Sequence, residues 1–529
     1  MLPFLLMRQP AALLAILLVS CRPASPPEPE ISPGRIAAHV RFLADDQLEG
    51  RGVASRGEIL ATNYIASQFA QLGLEPAGDN GTFFQRVPLV GVRTRPASTF
   101  AVNNQRLTLL TEFVGVSTRQ QAEALLDAEA VFVGHGIVAP EFQWDDYKGA
   151  DVKGKWVVLF TNEPESSDPK FFGGRALTYY GRWTYKYEQA TRQGALGCLI
   201  VHTDKTAGYG WSVVRNSWGG KQPMVKLAAG EPALGFAGWV SEAAGGRIFS
   251  SIGKTVAEAL QQSESRDFRP MPLPIRIRAG LHSDVSTMDT RNVVARLAGS
   301  DPKLQEEAVL YSAHHDHLGI GDPVNGDAIY NGAVDNATGC GILLEMARAF
   351  AVAPQRPKRS VLFAAVGAEE GGLRGSEYYA SHPAVPAAKT ALNLNYDGLF
   401  VFGRTADITL VGYERTALRE LVEQTARQMN LKIKPDPLPE QGHYYRSDHF
   451  SLAKVGVPAF SIGLGTEYIG KPADWGQKTY EEYNRKHYHQ PSDHFDEKWD
   501  FSGLAEVARF GFRLGTQTAN LPELPSRQR

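Results

Sequence analysis

Ala308-Val309-Leu310-Tyr311-Ser312-Ala313-His314-His315-Asp316-His317 is an apolar run that ends on four side chains capable of chemistry. A short, almost uninterrupted apolar run fits a strand buried on both faces. The same arrangement recurs downstream. Residues 360–366 form a second candidate strand, closed by Gly367-Ala368-Glu369-Glu370-Gly371-Gly372, and residues 390–396 form a third, closed by Asp397-Gly398. Further strands are expected at 408–411 and 459–463, with helices at 337–350, 375–380, 416–429 and 503–518. Strands alternating with helices argue for an α/β fold with a mostly parallel sheet. In such sheets ligands bind beyond the carboxyl ends of the strands, where the His, Asp and Glu residues sit.

Towards the N-terminus, Ser55 and Glu58 have capping-box spacing ahead of a helix over 57–72, and Gly73 offers its stop. Short β-like runs follow at 84–92, 99–102 and 107–110, and the stretch from 35 to 109 is assigned with the 286–520 segment to one domain. Residues 110–285 read as a separate insert, with strands at 130–133, 155–161 and 198–202 and a helix at 179–193. Gly and Pro clusters at 208–220 and 270–274 predict long loops and a boundary. Trp183, Tyr185 and Tyr187 read as packing, and His135, Asp145 and Asp146 as surface or turn residues.

The chain opens with Arg8, an apolar run over 11–19 and Leu18-Val19-Ser20-Cys21, which resembles a bacterial lipoprotein signal over residues 1–21. The Pro-rich stretch 22–34 reads as a tether. The expectation is an exported protein held in the cell envelope, at the periplasmic face or the cell surface, that meets the membrane only through a lipid on Cys21. Over 529 residues, 55 Lys+Arg balance 57 Asp+Glu, so no global basic field invites nucleic acid. With 43% hydrophobic and 21% charged residues the chain can bury sizeable cores, which excludes fibrous and disordered classes. Three cysteines, none in a Cys-x-x-Cys pair, exclude a disulfide framework and a thiolate zinc site; Cys198 and Cys340 read as small buried residues.

Imidazoles and carboxylates gathered at strand ends suit a divalent zinc, which removes the penalty of burying several carboxylates together. In the adjacent pair Glu369 and Glu370, one can bind metal while the other takes a proton from water acidified by it. Singly, each element is weak: Asp335 alone fits a helix cap, and a lone His-x-Asp is usually surface or core. Their ordered combination is what carries weight.

Taken together, Phe42–Arg51, Gly73–Gly78, His314-His315-Asp316, Gly332–Gly339, Ala368–Ser376 and the late His489 resemble the zinc-dependent aminopeptidase family that includes bacterial leucyl aminopeptidases, aminopeptidase Y and the glutamate carboxypeptidase group. That resemblance implies a three-layer αβα zinc-exopeptidase domain, with the middle unit as a β-rich protease-associated insert. It implies two Zn2+ per chain: His314 and Asp397 on one, Glu370 and His489 on the other, and Asp335 bridging both. Glu369 would be the general base, Asp316 the outer carboxylate that orients His314, and Tyr444 an oxyanion donor. Asp397 is preferred to Asn395 on the same strand face because a carboxylate binds zinc better than an amide, and His489 is preferred to His487 because Gln490-Pro491-Ser492-Asp493 follows it. Val334 stands where relatives often carry another Asp. His315 and His317 are read as exposed, with no ligand role, and the segment Tyr444–His449 as lining the site. The implied substrates are peptides with a free N-terminus. A glutaminyl cyclase-like single-zinc transferase, a carboxypeptidase and a non-catalytic receptor-like module are the alternatives, and the oligomeric state is not legible.

Overall fold

The structure, a computed structural model, describes residues 28–527. The expected signal and Cys21 lie outside the described residues. A nine-stranded sheet runs in the order Glu75–Pro76, Thr290–Leu297, Ser360–Val366, Ala308–His314, Thr390–Asn395, Ala459–Leu464, Asp407–Val411, Lys432–Lys434, with Phe84–Val87 also paired to Thr290–Leu297. Its four central strands are parallel and are joined on each side by an antiparallel pairing, while Lys432–Lys434 at one edge runs parallel to Asp407–Val411. Alternation along the strands builds the three layers. Val309, Tyr311 and Ala313 face a core with helices Pro33–Leu43, Arg56–Gln71, Thr338–Val352 and Ser502–Ala519, while Ala308 and Leu310 face a smaller one with Arg374–Ser381 and His449–Lys454. Both faces are covered, which is why these strands read as continuous apolar runs.

A ten-stranded second sheet is built on the 17-residue strand Met271–Thr287, which pairs with Leu89–Thr94, Thr99–Val102 and Glu123–Phe132. The second unit therefore takes in strands before residue 110 that the sequence reading gave to the first. Short alternating runs carry no sign of which sheet they will join. The expected loop at 270–274 is also strand from Met271: Pro272 pairs with Val131, and Pro274 falls where the ladder shifts register between Leu273 and Arg276, a place where a missing N–H is tolerated. The other predicted loop holds the helix Trp211–Gly219. His135 and Asp146 are buried, not superficial; the Asp146 carboxylate accepts from Ile137 N and Trp144 Nε1 at 2.9 and 2.8 Å.

The Pro-rich stretch is docked from residue 28 onwards rather than extended to 34. Glu28 pairs with Arg513, Ile31 is buried, and Ser32 caps the helix Pro33–Leu43. Pro33 thus sits at the start of a helix, where its missing N–H is harmless. Among the described residues no helix is long and apolar enough to cross a membrane.

Only half of the expected capping box forms. Ser55 Oγ accepts from Glu58 N at 3.2 Å, but the Glu58 carboxylate accepts from Ala54 N at 2.7 Å and meets the Thr290 hydroxyl, tying the helix Arg56–Gln71 to the strand Thr290–Leu297. Burial pushes Glu58 up to about 8. The folded state therefore holds this proton more tightly than the unfolded chain, and stability falls as pH rises from 4.5 towards 8. Glu58→Gln keeps both contacts without a charge. Melting curves should show a smaller loss between pH 5 and pH 8.5 than in the parent, the difference being on the order of 4 kcal/mol at most.

Candidate metal centre

The carboxyl ends of the central strands supply the site. His314 is the last residue of its strand; Glu369 and Glu370 follow Ser360–Val366; Asp397 lies two residues beyond Thr390–Asn395. Asp335 precedes the helix Thr338–Val352, and His489 follows Trp475–Lys486. These residues gather into two groups that share one side chain. In the first, His314 Nε2 is 3.1 Å from Asp397 Oδ1 and 3.2 Å from Asp335 Oδ1. In the second, His489 Nε2 is 3.4 Å from Asp335 Oδ2 and 3.0 Å from Glu370 Oε2. Asn395 and His487 are elsewhere: Asn395 bonds Ser312 and Ser447, and His487 bonds Ser492.

The second group has a further member that the sequence reading left out. His317 is buried, as is His315, and its Nδ1 lies 2.6 Å from Glu370 Oε1. His317, Asp335, Glu370 and His489 each offer a ligand atom within 4.8 Å of the others. His315 turns away and meets Arg291 O at 2.9 Å. The available signal was spacing: beyond the strand, His317 forms an isolated bridge with Gly52 and returns to the strand's mouth, which strand alternation does not anticipate.

Asp316 acts differently from the expectation. His314 Nδ1 meets the Asp316 backbone carbonyl at 3.1 Å, with its carboxylate farther off at 3.8 Å. That carboxylate accepts from Glu369 N at 3.1 Å and Glu370 N at 3.4 Å, so it fixes the Glu pair. Asp493 does the same for the shared carboxylate, accepting from Val334 N and Asp335 N at 3.0 and 3.1 Å. The second unit reaches in as well: Ser217 Oγ meets His489 Nδ1 at 2.8 Å, and Asn216 Nδ2 donates to His489 O at 3.0 Å. Tyr444 is not brought to these groups. Its ring lies under Arg415, 4.2 Å from the guanidinium carbon, and lines neither neighbouring cavity, whereas Tyr488 lines both.

Burial alone would lower the His314 imidazole, yet Asp397 and Glu369 hold it well above its ordinary range. Against the same burial, bonds to His314 and His489 hold Asp335 far below the usual carboxylate range. Glu369 is pushed well above that range by burial, with Asp397, Glu370 and Asp448 outweighing the pull of His314. The His317 ring nitrogens and Glu370 Oε1 are buried with no hydrogen bond, although Nδ1 and Oε1 are in contact. Buried imidazole and carboxylate atoms that converge without a proton in line are the donor set of a divalent cation. Zinc fits: one imidazole with two carboxylates faces the first position, and two imidazoles with two carboxylates face the second.

Two cavities open on this centre. One of about 220 Å³ is lined by Leu399, Phe400, Ile462 and Tyr468 and reaches Asp335, Glu369 and Asp397. A larger one, about 550 Å³, lies between the two units and reaches Glu369, Glu370 and His489. Arg446 lines both, and Ser447 and Tyr445 line one each, so the segment after Tyr444 does reach the site.

Residues 292–510 match the model of Peptidase family M28. The resemblance to zinc-dependent aminopeptidases therefore holds over the segment that carries the residues above. Among particular relatives, Leupeptin-inactivating enzyme 1 of Streptomyces exfoliatus is 28% identical over 214 residues, 38% of this chain and 42% of that protein. A probable leucine aminopeptidase 2 of Aspergillus oryzae is 26% identical over 249 residues, 45% of this chain and 47% of that one. The chain thus spans about half the length of the curated relatives it matches. The aminopeptidase from Aneurinibacillus sp. strain AM-1 shares the fold, with a TM-score of 0.57 at 19% identity over 94% of this chain and 96% of that one. The zinc aminopeptidase BSAP of Bacillus subtilis reaches 0.50 at 17% identity, over 92% and 95%.

Competition with a chelating dye should separate the roles of His317 and Ser217. His317→Ala, which removes a donor, is expected to weaken zinc binding by about 100-fold or more. Ser217→Ala, which only frees the far side of the His489 ring, should weaken it by about 10-fold. Unchanged zinc affinity in His317→Ala would place His317 outside the metal position.

Proposed function

We propose that this protein is a dizinc metallo-exopeptidase, an aminopeptidase that releases the N-terminal residue of peptides. The observation that carries the reading is the pair of donor groups joined at Asp335, with Glu369 beside them at the meeting of two cavities. Assembly of both groups favours two metals over a single-zinc transferase. It also favours catalysis over a receptor-like module, which would not retain buried, unpaired donors.

His314, Asp335 and Asp397 would hold one ion, and His317, Asp335, Glu370 and His489 the other. When bound, the pair would supply Lewis acidity at the scissile carbonyl and an acidified water within reach of a carboxylate base. Glu369 takes the proton from the attacking water and returns it to the leaving amine. Asp316 keeps Glu369 and Glu370 at fixed depth, so the base and its neighbouring donor cannot exchange places. Tyr488, whose hydroxyl accepts from Arg446 Nη2 at 3.1 Å, is better placed than Tyr444 to donate to developing negative charge. The apolar smaller cavity accommodates the side chain of the released residue, which favours leucine-like N-termini. Export and tethering through a lipid on Cys21 belong to the same reading.

Hydrolysis of leucyl p-nitroanilide tests it. Chelation should abolish turnover and zinc restore it, while Glu369→Gln should keep both metals yet lose about 10³-fold in kcat. Comparable rates in the parent and the Gln variant would remove Glu369 from the chemistry. Tethering has its own readout: label from radioactive palmitate should enter the parent chain and be absent from Cys21→Ala.

A further inference from the structure

Tyr209 stands where the two cavities meet and has no part in the mechanism above. Four lining residues are common to both cavities: Glu369, Arg446 and Tyr488 from the first unit, and Tyr209 from the second. The Arg446 guanidinium carbon lies 5.5 Å from the centre of the Tyr209 ring and 5.9 Å from that of Tyr488, and the two rings are 6.5 Å apart. A cation beside two electron-rich ring faces is attracted to both. Beyond it, the Tyr488 ring lies 4.0 Å from that of His489. Three side chains thus form a bar between the units beside Glu369, and Tyr209 is the second unit's share of it.

The local chain fixes the ring in this place. The helix Asp204–Ala207 ends at Gly208, whose φ of +81° reverses the backbone ahead of Tyr209. The buried His202 meets Tyr209 O through Nε2 at 3.0 Å, and Trp211 Nε1 donates to Leu110 O at 3.0 Å. The main chain is therefore pinned at Tyr209 and again at Trp211, while the half-buried ring reaches into the cleft.

In the peptidase reading the first side chain enters the smaller cavity and the leaving chain enters the larger. A group attached to the α-nitrogen is then directed to the remaining gap, between the units, and there the Tyr209 ring stands. The acids at the centre would favour an ammonium by charge whatever its substituents. Charge thus accounts for a preference for a free amine but not for a limit on its bulk, which needs a wall that does not yield. A ring braced by a cation on a pinned backbone is such a wall.

We infer that the Tyr209 ring limits the chain ahead of the scissile bond to one residue with an unsubstituted α-amine. Tyr209 is then a specificity-determining residue, supplied by the second unit, that restricts the cleft to exopeptidase action. The inference rests on the peptidase reading for which bond is cut, but the wall itself does not depend on turnover.

The zinc-replete full protein and three p-nitroanilides test it: leucyl, N-propyl-leucyl and acetyl-leucyl. Propyl adds bulk to the amine and keeps its charge, whereas acetyl adds bulk and removes the charge. In the parent, the propyl compound should fall below the leucyl compound by about 100-fold or more in kcat/KM. Tyr209→Ala removes more heavy atoms than propyl adds, and should narrow that gap by about 10-fold or more. The acetyl compound should gain less, because its charge is still missing. Tyr209→Phe, which keeps the ring, should reject both as the parent does. Equal cleavage of the propyl and leucyl compounds by the parent overturns the inference, and so does a gap that Tyr209→Ala leaves unchanged. Tyr209→Leu repeats the measurement should the Ala variant not fold. If the parent hydrolyses none of the three, the peptidase reading fails instead, and calorimetry with leucinamide and N-propyl-leucinamide judges the wall. Weaker binding of the propyl compound, restored in Tyr209→Ala, supports it. Equal binding of the two in the parent, or a difference that persists in Tyr209→Ala, overturns it.

Discussion

Asp335 sets the terms for everything around it. Its two oxygens face different imidazoles, at 3.2 Å from His314 and 3.4 Å from His489, so one side chain has to serve two groups of donors at once. Carboxylates this close to Asp397 and Glu370, shielded from water, repel one another strongly unless positive charge lies between them. The imidazoles supply that charge only by taking up protons, which costs them their lone pairs as donors. Divalent zinc held by these groups would resolve the conflict without protons, leaving the imidazoles neutral and the carboxylates ionised.

Holding the acids together requires a frame that does not yield. Asp493 grips the backbone at 334 and 335, and the Tyr483 hydroxyl steadies Asp493 at 3.0 Å. Arg51, buried within the first unit, donates to the carbonyls of His315, Asn331 and Gly332. One guanidinium thus links the turn after the first strand to the loop ahead of Asp335. Cys340 adds a weak donation to His314 O at 3.2 Å, a role beyond the small apolar filler its composition suggests. A centre of like charges is built by fixing backbone first and letting side chains follow.

This division explains what could be read from the chain. The strand 360–366 is legible because burial on both faces leaves an apolar run with sharp ends. His314, Glu369, Glu370 and Asp397 were legible because they sit at or just beyond those ends, where a polar residue stands out. Three other features were not. His317 depends on the path of the turn after His314, which no periodicity encodes. The place of Tyr444 depends on Arg415, whose stacking over the ring is a tertiary accident of a loop. The strand Met271–Thr287 was hidden by its prolines, which ordinarily break a ladder; here Pro274 coincides with a shift of register. Local signals end where the outcome depends on tertiary packing.

The second unit supplies part of that packing, and its contribution bears on how the site should be understood. Ser217 orients His489, and Arg182 and Tyr209 line the larger cavity with Glu369. A hydrogen bond between two units is geometrically demanding, since a displacement of about 1 Å takes it out of range. Because His489 Nδ1 is met from one unit and its Nε2 faces acids of the other, movement between them turns the ring against its own donor direction. The seating of the second sheet and the readiness of the metal centre are therefore one mechanical property. The walls that would recognise a substrate are the same walls that hold the ligand in place.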